Sequence, residues 1–463
     1  MMPRRKMCGR FARASLAAFG IVLGLMPAGA TARGVVVFGP KVISRDTPLL
    51  ARCDRLRQET DTMIASDPHH PRHLVATWDQ DDHKSNVTAT SRNGGKTWKI
   101  STIPGISKCT GGVSDQVVDP WVSIGQGGSA YFAALPLSIS GFSVNRSLDG
   151  GSDWQAPTTA DPAAGLTVDL PSVLADPFQA GRTYLTWSRF NFDDSGAITS
   201  GDARYSLSTD GAQTFSMPVV IHTPPTGQAA FESRIARMSD GSLLDVLGEA
   251  RPEPLTAPLA TLATRSIDGG ATWSRPVRIT TVPQDAILDP DRGKAVYEFC
   301  CLYSLASGGG NRAYVAYTDN NGRRSGRVVV VGSSDGGRTW GTPRNVIHVP
   351  AQALQAAVAV AGDGTVGVTW YDFRNDKRRD EALTTDYWFA YSRDHGETWH
   401  RSHLAGPFDM RTSRRVGRPV GVYQGLAGLP QGFAATFIQA LPKARRGGED
   451  VFFARLTLPK RQS

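Results

Sequence analysis

The densest run of chemically capable residues in the chain is Trp370-Tyr371-Asp372-Phe373-Arg374-Asn375-Asp376. A planar guanidinium two residues from a carboxylate can grip that carboxylate through two parallel hydrogen bonds. Asp79, Glu249 and Asp319 stand at related places in the chain. Their recurrence argues for paired groups that fix a loop; the functional alternative is a ring of acids and arginines around an opening. A second group reads Phe231-Glu232-Ser233-Arg234, followed at a short distance by Glu249-Ala250-Arg251. Arg418 and Tyr423 lie close together near the C-terminus, while Asp119, Asp169 and Glu298 are further carboxyls with no sequence neighbour of like chemistry. Carboxyls held at different proton affinities can serve as general acid and base.

Other chemistries find no support in the residues. The chain contains no G-x-S-x-G, phosphate-loop or H-E-x-x-H pattern. No zinc-ligand spacing appears, so neither metal nor cofactor is expected. His69, His70 and His73 cluster, but Pro68 and Pro71 among them point to an exposed turn.

The N-terminus reads as a processing signal. Arg4, Arg5, Lys6, Arg10 and Arg13 precede an apolar run from Leu16 to Met26, and Ala28-Gly29-Ala30-Thr31-Ala32 supplies small residues for cleavage. Residues 1–32 are therefore expected to be a signal peptide, and the mature chain secreted or periplasmic. The apolar run is too short to span a bilayer, and no membrane span is expected. The formal net charge of +9 owes much to that segment: without it, 46 basic residues face 42 acidic ones. So small an excess gives no case for nucleic acid. Cys8 goes with the signal peptide, which leaves Cys53, Cys109, Cys300 and Cys301 in an oxidising compartment. Four cysteines allow three pairings; Cys53–Cys109 is favoured, with Cys300 and Cys301 either a vicinal disulfide or buried thiols.

A periodic element in the chain must position these groups. Ser91-Arg92-Asn93-Gly94-Gly95-Lys96-Thr97-Trp98 recurs at Ser147–Trp154, Ser208–Phe215, Ser266–Trp273, Ser333–Trp340 and Ser392–Trp399, at intervals of 56 to 67 residues. The carboxylate can bond amides of a tight hairpin, Gly supplies a positive φ, and the aromatic residue fills a slot between strands. Asn93, Ala212, Asp153 and Phe215 are mild departures that keep the turn. Ahead of each turn lies a strand rich in aromatic and β-branched residues, as in Leu74–Trp78, Tyr184–Trp187 and Val366–Trp370. A seventh such strand, Phe433–Phe437, is followed by Asp450–Ala454 but by no turn motif. Val35–Phe38 is a spare strand that would complete this last unit and cover its edge.

The repeated turn resembles the Asp box, S-x-D-x-G-x-T-W, and the chain resembles the sialidase superfamily. That resemblance implies an all-β chain, a β-propeller of four-stranded blades over residues 33–463 as a single domain. Seven blades closed by the two termini are expected, with six as the alternative. Phe231–Ala236, Asp240–Leu244, Glu249–Arg251 and Arg265–Gly270 are similar to the R-I-P, D-G-x-L-L, E-A-R and R-S-x-D-G-G elements of a sialidase blade, with Ala236 in place of the Pro. The resemblance makes Arg234 a carboxylate-binding arginine and Arg251, Arg374 and Arg418 candidates to join it, with Asp372 beside them. It makes Tyr423 the candidate nucleophile, Glu232 or Glu298 its partner, and Asp119 or Asp169 the candidate acid. The implied partner is a glycan or glycoconjugate, met at the funnel face by a monomer. Two other classes stand beside this reading: a non-catalytic glycan- or protein-binding propeller, and a structural factor of the cell envelope.

Overall fold

The computed structural model describes residues 34–44, 53, 58–162, 168–253, 257–284, 286–297, 303–320, 325–413, 418–442 and 448–460. Residues 1–32, expected to be a signal peptide, and Glu298, Cys300 and Cys301 lie outside them. Among the described residues, regular structure is almost wholly β, with a few single-turn 3₁₀ segments.

The strands fall into successive antiparallel meanders of four. The first meander comprises Thr60–Ser66, Leu74–Gln80, Ser85–Ser91 and Lys99–Thr102; the second, Val117–Ile124, Ala130–Pro136, Phe142–Ser147 and Thr158–Ala160. The third runs Val168–Ala175, Thr183–Phe192, Ile198–Ser208 and Val219–His222. The fourth is Ala229–Arg237, Leu243–Ala250, Leu259–Ser266 and Val277–Val282. A single parallel bridge, Gly201 to Ala229, joins these two into one eight-stranded sheet. The fifth comprises Ser304–Gly308, Arg312–Asn320, Gly326–Ser333 and Arg344–Val349; the sixth, Ala353–Val360, Val366–Asp372, Thr384–Ser392 and His400–Asp409. The last sheet takes Gly425–Leu429, Gly432–Ala440 and Glu449–Thr457 from the C-terminal end. Its fourth strand is Val36–Val42, paired antiparallel with Glu449–Thr457. This is the pairing expected of the spare N-terminal strand, and it covers what would be an open edge.

First strands pack on first strands in chain order from the first meander to the seventh, and the seventh packs back against the first. Second strands sit between neighbouring sheets and are buried on both faces, which is why they read as near-continuous apolar runs rather than alternating ones. Trp78, Trp187 and Trp370 are fully buried at matching places in them.

The six repeated turns explain their own sequence. In each, the Ser hydroxyl accepts the N–H four residues on, at 2.8 Å for Gly95, 2.7 Å for Gly151, 2.8 Å for Ala212 and 2.7 Å for Gly270. The side chain two residues after the Ser accepts the N–H four residues beyond itself, as Asn93 does from Thr97 at 2.9 Å and Asp268 from Thr272 at 2.9 Å. Bonds led by the Thr272 hydroxyl hold the Asp268 carboxyl down at about 2. Gly270, at φ 96°, could not carry a side chain, because a Cβ there would stand 2.1 Å from Tyr205. The turn aromatics close the gaps between sheets: Trp98 packs edge-on against Phe453 of the last sheet at 5.0 Å, and Trp273 against Tyr205 at 5.4 Å.

Cys53 and Cys109 form a disulfide across 56 residues, the favoured one of the three pairings. Of the histidine cluster, His69 and His70 lie exposed in the turn as expected, and His73 departs from the expectation. His73 is buried, bonded to Asp67 at 3.1 Å and to the Gly150 carbonyl at 2.7 Å, so it links two sheets instead of lying in an exposed turn.

Candidate functional site

One local device recurs at the head of the first strands. Asp61, Asp119, Leu170, Glu232 and Gln355 all have φ between 51° and 57°. Each coincides with a break in register against the second strand. These are β-bulges with a non-glycine residue in the left-handed region, an arrangement that costs energy and is found next to functional sites. The bulge re-aims its side chain, and all of these residues but Gln355 line a cleft of about 340 Å³. Asp61, Asp119, Asp169 and Glu232 line it, with Arg251, Arg418, His83 and Gln284, and with Phe190 and Phe231 as apolar wall.

A second cavity, of about 100 Å³, takes the residues that follow the bulges: Met63, Trp121, Arg234 and, from other meanders, Tyr303, Gln355 and Tyr423. The Arg234 guanidinium lies 4.3 Å from the centre of the Trp121 ring and 5.9 Å from that of Tyr423. Its Nη1 is buried without a hydrogen-bond partner. The Tyr423 hydroxyl donates to the Pro120 carbonyl at 3.1 Å. Burial pushes its phenol well above the usual range, and the charges of Asp119, Asp61 and Asp79 add to this.

The carboxyls of the cleft differ sharply in environment. Glu232 is 1% exposed, and neither of its carboxyl oxygens has a partner. Burial raises it to about 8, against the opposing pull of Arg234. Asp119 and Asp169 line the cleft together, and each carboxyl acts on the proton affinity of the other. Burial, and then the negative charges of Asp169, Asp61 and Asp79, hold Asp119 well above the carboxylate range. Asp169 is raised by burial, but less freely: the neighbouring Asp119 side chain, the Leu170 N–H at 2.9 Å and the charges of Arg418 and Arg234 all favour its ionised form.

The predicted residues therefore divide. Asp119, Glu232, Arg251 and Arg418 come together at one cleft, and Arg234 and Tyr423 share the cavity lined by the next residues of the strands. Arg374 and Asp372 are among the lining of neither. Asp372 is fully buried and accepts from Trp370 Nε1 at 2.8 Å and from Arg374 Nε at 2.9 Å. The Arg374 guanidinium rests 3.8 Å from the centre of the Trp388 ring. Similar pairs close the related positions: His83 to Asp79 at 2.7 Å, His222 to Glu249 at 2.7 Å, and Arg327 to Asp319. Sequence reasoning missed Asp61, Trp121, Tyr303 and Gln284. The equivalence of Asp61, Asp119 and Glu232 just inside their strands was the one signal that could have found the first.

No family model matches the chain, and no curated protein matches it. Among solved structures, a protein of unknown function from Dyadobacter fermentans is similar at a TM-score of 0.50 and 13% identity, covering 92% of this chain and all of that one. A Hadza microbial sialidase is similar at a TM-score of 0.47 and 16% identity, over 83% of this chain and 76% of its own. A Trypanosoma rangeli sialidase reaches 0.42 and 14%, over 86% of this chain and 55% of its own. The first likeness bears on the fold alone, and the two weaker ones carry no functional argument.

Proposed function

We propose that this protein is a secreted hydrolase of the sialidase-like kind, acting on acidic glycans from the cleft at the head of a seven-bladed propeller. The observation that carries this is the meeting of three carboxyls of unequal proton affinity, Asp119, Asp169 and Glu232, with Arg251 and Arg418 in one apolar-walled cleft. Carboxyls whose environments drive their proton affinities apart are what cleavage of a glycosidic bond requires, and arginines can hold a sugar carboxylate by paired hydrogen bonds. The closed succession of first strands and the N-terminal fourth strand of the last sheet support seven blades. The signal-peptide pattern of residues 1–32 supports export, with residues 33–463 forming a single propeller domain.

A non-catalytic glycan-binding propeller is the second reading, and one observation favours it. Among the described residues, the Tyr423 hydroxyl is engaged by the Pro120 carbonyl and not by Glu232, one of the two glutamate partners that the resemblance implies. Turnover separates the two. Purified mature protein is offered 4-methylumbelliferyl glycosides of sialic acid, glucuronic acid and uncharged hexoses. Hydrolysis of an acidic glycoside, with KM raised at least tenfold by Arg251→Ala, is the expected result. Binding of acidic glycans without any turnover would sink the hydrolase reading and leave the second.

A further inference from the structure

Asp119 and Asp169 line one cleft from first strands that pack on each other, and this placement has a chemical consequence. Two carboxyls brought to one partly desolvated site do not readily ionise together, because each negative charge opposes the other, and one proton kept between them relieves that repulsion. Asp119 sits on the bulge of the second meander at φ 57°, and Asp169 immediately precedes the bulge residue Leu170 of the third. The two first strands pack on one another, which brings both carboxyls to the same part of the cleft. The groups around them act unequally. Asp61 and Asp79 bear on Asp119 and favour its protonated form, whereas Arg418 and Arg234 bear on Asp169 and favour its ionised form. Glu232 senses the Asp169 charge, His83 of the first meander is held by Asp79, and Tyr423 approaches Asp119 from the last meander. The Tyr423 hydroxyl donates to Pro120, the residue after Asp119, and so pins the bulge.

We propose that Asp119 and Asp169 form a one-proton pair that is the acid–base couple of the cleft, and that Tyr423 is a positioning residue for that pair and not a nucleophile. The assignment of a reaction to the pair rests on the glycan-hydrolase reading. In that reaction the pair gives its proton to the glycosidic oxygen as the bond from that oxygen to the anomeric carbon breaks, and the bonding electrons leave with the oxygen. Water adds its oxygen to the anomeric carbon and returns one proton to the pair, so one water is consumed and the couple ends as it began. Glu232, buried at the cleft with both oxygens unpartnered, is left to hydrogen-bond the sugar hydroxyls.

Two measurements test this together. Carbon-13 NMR of protein labelled at the aspartate carboxyls should show, at pH 7, a protonated carboxyl in the wild type that is absent from both Asp119→Asn and Asp169→Asn. With the same 4-methylumbelliferyl panel, each of these variants should lose turnover by about 10² to 10⁴-fold. Tyr423→Phe should lose less than about tenfold while shifting the pH–rate profile, since it disturbs the pair without removing a reacting group. Two ionised carboxyls at pH 7 would overturn the proposal, as would turnover that survives either Asn substitution or is abolished by Tyr423→Phe. A shared proton without hydrolysis of any probe would refute the hydrolase reading while upholding the pair itself.

Discussion

Replacing Glu232 by Gln should make the protein more stable at alkaline pH, because the fold holds this side chain neutral. Its carboxyl is 1% exposed without a partner for either oxygen, and burial raises it from 4.5 to about 8. In the unfolded chain the same group ionises near its ordinary value. Between about 4.5 and 8 the folded protein therefore binds more protons than the unfolded one, and stability falls as pH rises through that window. The neutral-state advantage is fully present below the window and lost above it. At about 1.4 kcal/mol per pH unit, the whole effect is on the order of 5 kcal/mol. A chain of this length unfolds with an entropy of roughly 0.9 kcal/mol per kelvin, so the effect corresponds to about 5 °C in Tm. Gln keeps the shape and cannot ionise. Thermal unfolding of both proteins at pH 5, 7 and 9, followed by tryptophan fluorescence, should give nearly equal Tm values at pH 5 and a gap of about 5 °C in favour of the variant at pH 9. The Asp169 charge acts on the Glu232 carboxyl only in the wild type, and in the direction that widens the gap at high pH. Parallel curves, with a gap below about 1 °C at every pH, would refute the reasoning by showing that Glu232 ionises freely in the fold.

Other perturbations have defined outcomes. Arg374→Ala leaves the fully buried Asp372 without its charge partner, so urea unfolding should show a loss of about 3 to 5 kcal/mol, with KM unchanged in the panel assay. Gly270→Ala places a Cβ at 2.1 Å from Tyr205 at a φ unsuited to it, and the same assay should show a loss of at least about 2 kcal/mol. Replacing Cys53 and Cys109 together by Ser removes a closure of 56 residues, for an expected loss of about 2 to 4 kcal/mol. Deleting residues 34–42 bares the edge of Glu449–Thr457, and light scattering should reveal association that a protein of residues 33–463 does not show.

The sheets were legible because their signal is repeated. Six copies of one turn, each needing a carboxylate or amide, a hydroxyl and small residues at fixed offsets, leave few ways to arrange the strands between them. The pairing of Val36–Val42 could be anticipated because a unit short of one strand exposes an edge. The cleft was less legible. Asp61, Asp119 and Glu232 act together through bulges in separate first strands, and a non-glycine residue at φ near 55° has no mark in composition or alternation. Asp119 and Asp169 are 50 positions apart, so nothing local tells that their carboxyls meet. The Asp372–Arg374 run drew notice for its density, yet its charges satisfy one another under Trp370 and beside Trp388. Dense polar sequence marked a self-paired loop, whereas the cleft is assembled from dispersed residues.

The most direct test of the central claim is a crystal structure of the mature protein soaked with N-acetylneuraminic acid. The account predicts the sugar in the cleft, its carboxylate on Arg251 or Arg418 and its anomeric carbon facing Asp119 and Asp169, with a hydroxyl on Glu232. A sugar bound elsewhere on the protein while this cleft stays open to it and empty would contradict the account.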